Sequence, residues 1–109
     1  MRRGEVWWVE FDPALGTEIR KTRPAIIISN DSANRNLERV VVIPVTSNVK
    51  HQYPGEALIT LLDAPGKAMV DQIMAADKMR LKNQLSTLSK SDMKEVENAI
   101  LTHFGMPKS

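Results

Sequence analysis

Two runs of consecutive apolar residues dominate the hydrophobic pattern: Ala25-Ile26-Ile27-Ile28, and Val40-Val41-Val42-Ile43 continued by Pro44-Val45. Neither run alternates with polar residues and most of the side chains are β-branched, which predicts central strands buried on both faces. Between them Asn30-Asp31-Ser32-Ala33-Asn34-Arg35-Asn36 is a series of turn formers with room for a single helical turn. So short a connection makes the two strands antiparallel neighbours. With Ser29 opposite Val40, Arg23 falls opposite Thr46, and their Cβ atoms come within about 5 Å on one face of the sheet. A guanidinium and a hydroxyl then meet at one end of the sheet, unless a register slip or a bulge intervenes.

Upstream, Trp7, Val9 and Phe11 alternate with Trp8, Glu10 and Asp12, the period of a strand from Gly4 to Asp12 with one apolar face. Trp8 breaks the polar face; a rim position covered by a loop accounts for it more simply than base stacking or partner docking. Asp12-Pro13-Ala14-Leu15-Gly16 is turn chemistry, and Thr17 to Arg23 reads as a polar loop entering the second strand. A second polar loop, Ser47 to Gly55, opens at the same end of the sheet as Arg23. Glu56 to Leu62 reads as a strand, Asp63-Ala64-Pro65-Gly66 as a turn, and Lys67 to Ala76 as one or two strands interrupted at Asp71-Gln72. Ser89-Lys90-Ser91-Asp92 starts a helix with a capping box. Met93, Val96, Ile100, Leu101 and Phe104 recur at helical spacing, and Gly105 and Pro107 stop it.

Strands first and one amphipathic helix last predict a mainly β (α+β) fold: a small, strongly curved, barrel-like sheet covered by a C-terminal helix. The 109 residues suffice for one domain, 1–109, with a core of its own. Central strands apolar on both faces call for a second sheet layer or a partner subunit, and both are expected, the second as a homodimer.

Composition narrows the chemistry. There is no cysteine, which excludes disulfides, thiolate catalysis and sulfur-ligated zinc. No carboxylate pair or histidine pair stands at ligand spacing and no glycine-rich phosphate loop occurs, so neither a metal nor a cofactor is expected. Two arginines near the start have no apolar stretch behind them, since Glu10 and Asp12 cut off Val6-Trp7-Trp8-Val9. No signal peptide or membrane span is read, and a cytoplasmic protein is expected. Net charge is only +2, but Arg20, Lys21 and Arg23 cluster in one turn and Lys78, Arg80 and Lys82 in another. Clusters on a near-neutral chain suggest a localised anion site. Of the two histidines, His51 reads as a solvated loop residue and His103 as a partner for the last helical carbonyls. Arg23 alone could equally pair with Glu18 or with a carbonyl at a strand end; its coincidence with Thr46 is what singles it out.

Gly4-Glu5-Val6-Trp7-Trp8-Val9-Glu10-Phe11-Asp12-Pro13, Gly16-Thr17-Glu18, Arg23-Pro24-Ala25-Ile26-Ile27, Pro44-Val45-Thr46-Ser47 and Asp71-Gln72-Ile73 occur in this order between Arg3 and Phe104. In these motifs the chain resembles the MazF/PemK (Kid) family of toxin endoribonucleases. The resemblance implies an SH3-like barrel, a homodimer, and ribosome-independent cleavage of single-stranded RNA at a short sequence, which inhibits translation and growth. It also implies a cognate antitoxin whose acidic, disordered tail lies across the RNA site. Carried over by position, Arg23 and Thr46 match the catalytic pair, and Glu18, Ser47, Asp71 and Gln72 match positions that shape the RNA site. Arg20, Lys21 and Lys50 would then contact RNA phosphates. Cleavage that uses the adjacent 2′-hydroxyl needs no metal, and Glu18 is a candidate for the base that takes its proton. CcdB-type toxins share the barrel but bind DNA gyrase and catalyse nothing; on that alternative Arg23 and Thr46 are structural. A regulatory RNA- or peptide-binding barrel without activity is the third reading.

Overall fold

A computed structural model describes residues 1–11 and 21–107. The strands are β1 (Glu5–Phe11), β2 (Lys21–Ile27), β3 (Arg39–Thr46), β4 (Glu56–Leu61), β5 (Ala64–Met69), β6 (Met74–Asp77) and β7 (Leu81–Thr87). Helix α1 (Asp31–Asn36) links β2 to β3, helix α2 (Lys90–His103) follows β7, and 3₁₀ turns at Val70–Gln72 and Lys78–Arg80 flank β6. Every pairing is antiparallel, and the strand path runs β4-β5-β3-β2-β1-β7, with β6 added to β3. The mainly β sheet with its C-terminal helix is the class read from the sequence, but the sheet is not closed: β4 and β7 end the path.

The register between the two apolar runs is the one that the short connection implies. Ala25 faces Pro44, Ile26 faces Ile43 and Ile27 faces Val42, and beyond the ladder the Ile28 N–H donates to the Val41 carbonyl at 2.9 Å. The turn is fixed by its own polar groups. Asn30 caps α1 by accepting from the Ala33 N–H at 2.8 Å, and the buried Asn34 amide donates to the Ser29 carbonyl at 2.9 Å while Ser29 Oγ accepts from the Val41 N–H at 3.0 Å. These bonds satisfy groups that would otherwise be buried unpaired.

β3 is where the sheet forks. On the edge away from β2, Arg39 to Val42 pair with β6, and Val45 and Thr46 pair with β5. The break falls at Ile43-Pro44, where proline has no N–H for a ladder. The two faces of the β2–β3 pair belong to different cores. Val6, Ile26, Ile43, Val45, Ile59, Val70 and Val96 form one, lying under α2; Val9, Phe11, Ala25, Ile27, Val40, Val42 and Leu81 form the other. Both faces are therefore covered within the chain, and their burial does not by itself require a second subunit. Each fully buried Ile or Val contributes about 1.5–3 kcal/mol.

Helix α2 starts as its capping box predicts, with Ser89 Oγ accepting from the Asp92 N–H at 3.0 Å. The Asp92 carboxylate also accepts from the Thr60 N–H at 2.8 Å, which ties the helix to β4. Val96 and Ala99 are buried, but Phe104 is 53% exposed and lies past the helix end. His103 meets Phe104 edge-on, ring centroids 5.2 Å apart. One expectation is corrected and one strand was not anticipated. Ala64-Pro65-Gly66 is not a turn but the start of β5. The turn is Leu62-Asp63, both at positive φ (49° and 64°), the geometry of a two-residue hairpin. β7 gave no apolar alternation because it is an end strand, irregular against β1 at two points, with Lys82, Asn83 and Gln84 exposed. Among the described residues no helix is long and apolar enough to cross a membrane.

Candidate active site

β1 holds β2 in place as far as its charged end: Trp8 faces Pro24 and Val9 faces Arg23. Continuing the β2–β3 register two residues beyond Ala25 and Pro44 sets Arg23 across from Thr46. Both are half-buried, and both line one cleft of about 270 Å³. The β4–β5 hairpin supplies Leu61, Ala64, Pro65 and Gly66 to the lining, β1 and β2 supply Trp8 and Pro24, and Val45 and Ser47 complete it. Gly66 is favoured by close approach rather than by a turn. A Cβ there would stand 3.0 Å from Val45 Cγ1 and 3.6 Å from the Thr46 carbonyl oxygen, so a side chain at that position would have to push Val45 back by a few tenths of an ångström.

Chemically the cleft is a cation and a hydroxyl beside an apolar wall. Among the described residues Arg23 forms no ion pair, so its planar fork of donors is free of a carboxylate there. Thr46 Oγ1 accepts a 3.2 Å hydrogen bond from the Asn48 N–H, which leaves the hydroxyl hydrogen available to donate to a ligand. Paired guanidinium donors match phosphate oxygens, and an apolar wall carrying an indole suits the flat face of a base. Among the described residues no group of three or more His, Asp or Glu is placed to hold a metal ion.

Of the residues singled out from the sequence, the structure brings Arg23, Thr46 and Ser47 together. Glu18 and Arg20 lie outside the described residues; Lys21 is described by its backbone alone, opposite Phe11. Lys50 is exposed on the loop after Thr46, its N–H bonded to Asn48 Oδ1 at 3.2 Å, and it does not line the cleft. Asp71 and Gln72 sit on the 3₁₀ turn after β5, also outside the lining. The second basic cluster belongs elsewhere. Arg80 Nη1 donates to the Glu10 carbonyl at 3.1 Å and Lys82 Nζ stands 3.7 Å from Glu10 Oε2, both at the end of β1. His51 is exposed and does not line the cleft. Trp8, read from the sequence as a rim residue, proves to be part of the cleft wall. Leu61, Ala64, Pro65 and Gly66 were missed. The only signal for them was the spacing of a hairpin whose turn was placed two residues too far along the chain.

A family model described as "PemK-like, MazF-like toxin of type II toxin-antitoxin system" matches residues 2–104. The chain belongs to this family. Within the PemK/MazF family it is 36% identical over 115 residues to the endoribonuclease MazF9 of Mycobacterium tuberculosis, a match covering 97% of this chain and 98% of that one. The crystal structure of MazF from Deinococcus radiodurans superposes with a TM-score of 0.85 at 28% identity, covering 97% of each chain. A MazE–MazF crystal structure from the same organism gives 0.78 at 25% identity, covering 98% of this chain and 97% of that one. Membership of the PemK/MazF family bears out the resemblance carried by the motifs from Gly4 to Ile73.

Proposed function

We propose that this protein is the toxin of a type II toxin–antitoxin pair: an endoribonuclease that cuts single-stranded mRNA in the cytoplasm, inhibits translation and is silenced by a cognate antitoxin. Membership of the PemK/MazF family supports the class of activity, and relatives named as endoribonucleases support the substrate. A relative's structure with MazE supports the antitoxin as a partner. The whole chain acts as one toxin domain, and two copies form the working dimer. The observation that carries the chemistry is the shared cleft of Arg23 and Thr46 beside an apolar wall.

That arrangement supports the following reaction. The ribose 2′-oxygen next to the scissile phosphate attacks phosphorus, its proton passing to a base. The P–O5′ bond breaks, and the 5′-oxygen leaves with a proton. One fragment ends in a 2′,3′-cyclic phosphate and the other begins with a 5′-hydroxyl. The nucleophile is the RNA's own oxygen, so the protein needs neither a covalent nucleophile nor a metal, and DNA is not a substrate. Arg23 places paired donors on the nonbridging oxygens and offsets the extra charge of the phosphorane. Each such donor is worth on the order of 3 kcal/mol. Thr46 donates its hydroxyl hydrogen to the same phosphate rather than acting as a free base. Glu18 is the candidate base, and Ser47, Arg20, Lys21, Lys50, Asp71 and Gln72 contact the flanking RNA.

The test is incubation of purified protein with a long single-stranded RNA in excess chelator. The expected result is a set of discrete fragments with cyclic-phosphate ends, abolished when the ribose at the cut site is replaced by deoxyribose. Intact RNA, or cutting that survives the deoxyribose substitution, overturns the reading.

A further inference from the structure

Lys67 stands out among the described residues as a lysine in the core, 8% exposed. Its backbone lies in β5 opposite Thr46 of β3 on one side and Leu58 of β4 on the other. Its side chain is largely shielded from solvent; Nζ donates to the His51 carbonyl at 2.6 Å and stands 3.4 Å from Glu56 Oε2. Glu56 is itself held in place: its Oε1 accepts from the Tyr53 N–H at 2.7 Å, and its own N–H donates to the Tyr53 carbonyl at 3.0 Å. The Ser47–Gly55 loop leaves the sheet at Thr46 and re-enters it at Glu56. One ammonium therefore grips the returning half of a loop whose first residue lines the catalytic cleft.

A methionine or leucine would fill the same volume without the desolvation that a buried ammonium requires. What the charge adds is the grip on the loop, a charge-assisted bond to a carbonyl together with a shielded ion pair. We propose that Lys67 is a positioning residue. With Glu56 it clasps the Ser47–Gly55 loop, so that Ser47 and Lys50 meet the RNA backbone beside the cut phosphate in one fixed geometry. Lys67 touches neither the reacting atoms nor the RNA. This inference rests on the ribonuclease reading and adds to it the part that sets substrate grip and cleavage register.

The experiment compares the full-length wild type with Lys67→Met, Glu56→Gln and the double variant, on a long RNA and on a dinucleotide that occupies only the Arg23–Thr46 cleft. Losing a charge-assisted bond should raise KM for the long RNA about tenfold to hundredfold. kcat on the dinucleotide should stay at the wild-type value, and hydrogen exchange at the Tyr53 amide should accelerate. The two substitutions break one clasp, so the double variant should raise KM no further than the larger single. A merely structural role predicts the opposite: a lower melting temperature with KM unchanged in the molecules that remain folded. Glu56→Gln keeps the bond from Lys67 to His51, so it serves if Lys67→Met fails to fold. Unchanged KM in the folded variants, or an equal kcat loss on both substrates, overturns the clasp alone. A wild type that cuts no RNA overturns the ribonuclease reading and with it this one.

Discussion

Replacing Arg23 by alanine isolates the charge at the mouth of the sheet from the fold beneath it. The side chain is half-buried at the end of β2 and forms no ion pair among the described residues, so its loss strands no carboxylate among them. The structural cost is that of trimming a strand-end side chain, below about 1 kcal/mol, or a fall in melting temperature of less than about 8 °C for a domain of this size. The catalytic cost is larger. One donor aimed at a developing oxyanion is worth about 3 kcal/mol, and at about 1.4 kcal/mol per decade that is two to three orders of magnitude in rate. Two donors removed together should exceed this. Arg23→Lys keeps the charge but loses the planar fork, and should recover only part of the rate. The assay is single-turnover cleavage of one long RNA in chelator, with melting followed by circular dichroism on the same samples. An Arg23→Ala protein that melts normally and cuts within threefold of the wild-type rate would refute the assignment of the phosphate to this side chain.

Thr46→Val is nearly isosteric and should leave the fold intact while slowing cleavage about a hundredfold, as expected for a lost proton-donating contact in the transition state; equal rates would make the hydroxyl a bystander. Ile43→Ala removes a fully buried side chain from the core under α2 and should cost about 2–5 kcal/mol, read as a lower urea midpoint at unchanged slope. Gly55→Ala meets a φ of +87° and would bring its Cβ to 3.2 Å from His103 Cβ. It should cost about 1–2 kcal/mol and loosen the end of the loop that Lys67 holds, which amide exchange at Tyr53 would register.

The parts legible in the sequence were those decided by near neighbours. The β2–β3 register could be read because the connection is short, both strands are apolar throughout, and turn formers fill the gap. Once Ser29 was set against Val40 the meeting of Arg23 with Thr46 followed. α2 could be read because Ser89 and Asp92 mark its start within one turn. The parts not legible depend on contacts between residues distant along the chain. Pro65 and Gly66 look like a turn, yet Gly66 lies within β5, where a Cβ would crowd Val45. Leu62, which opens the actual turn, is not a residue that announces a positive φ, although Asp63 beside it is. β7 carries Lys82, Asn83 and Gln84 in succession and so has no period to detect. Lys67 looks like any exposed lysine until the fold brings His51 and Glu56 around it.

The fork in β3 explains why the site can be specified locally within so small a sheet. Up to Val42 the outer edge of β3 is held by β6; beyond Pro44 it is held by β5 alone, through Val45 opposite Ala68 and Thr46 opposite Lys67. The position of Thr46 therefore depends on the β4–β5 hairpin, whose residues also form a wall of the cleft and whose lysine grips the loop leaving Thr46. Arg23 is placed by a separate neighbour, β1, through Val9. Two supports converge on one cleft, and each ends in a single candidate side chain, Thr46 or Arg23. Changes in β6 or α1 should then be felt mainly as stability, because the ladder that carries them stops before Thr46, whereas changes in β5 should be felt as altered cleavage.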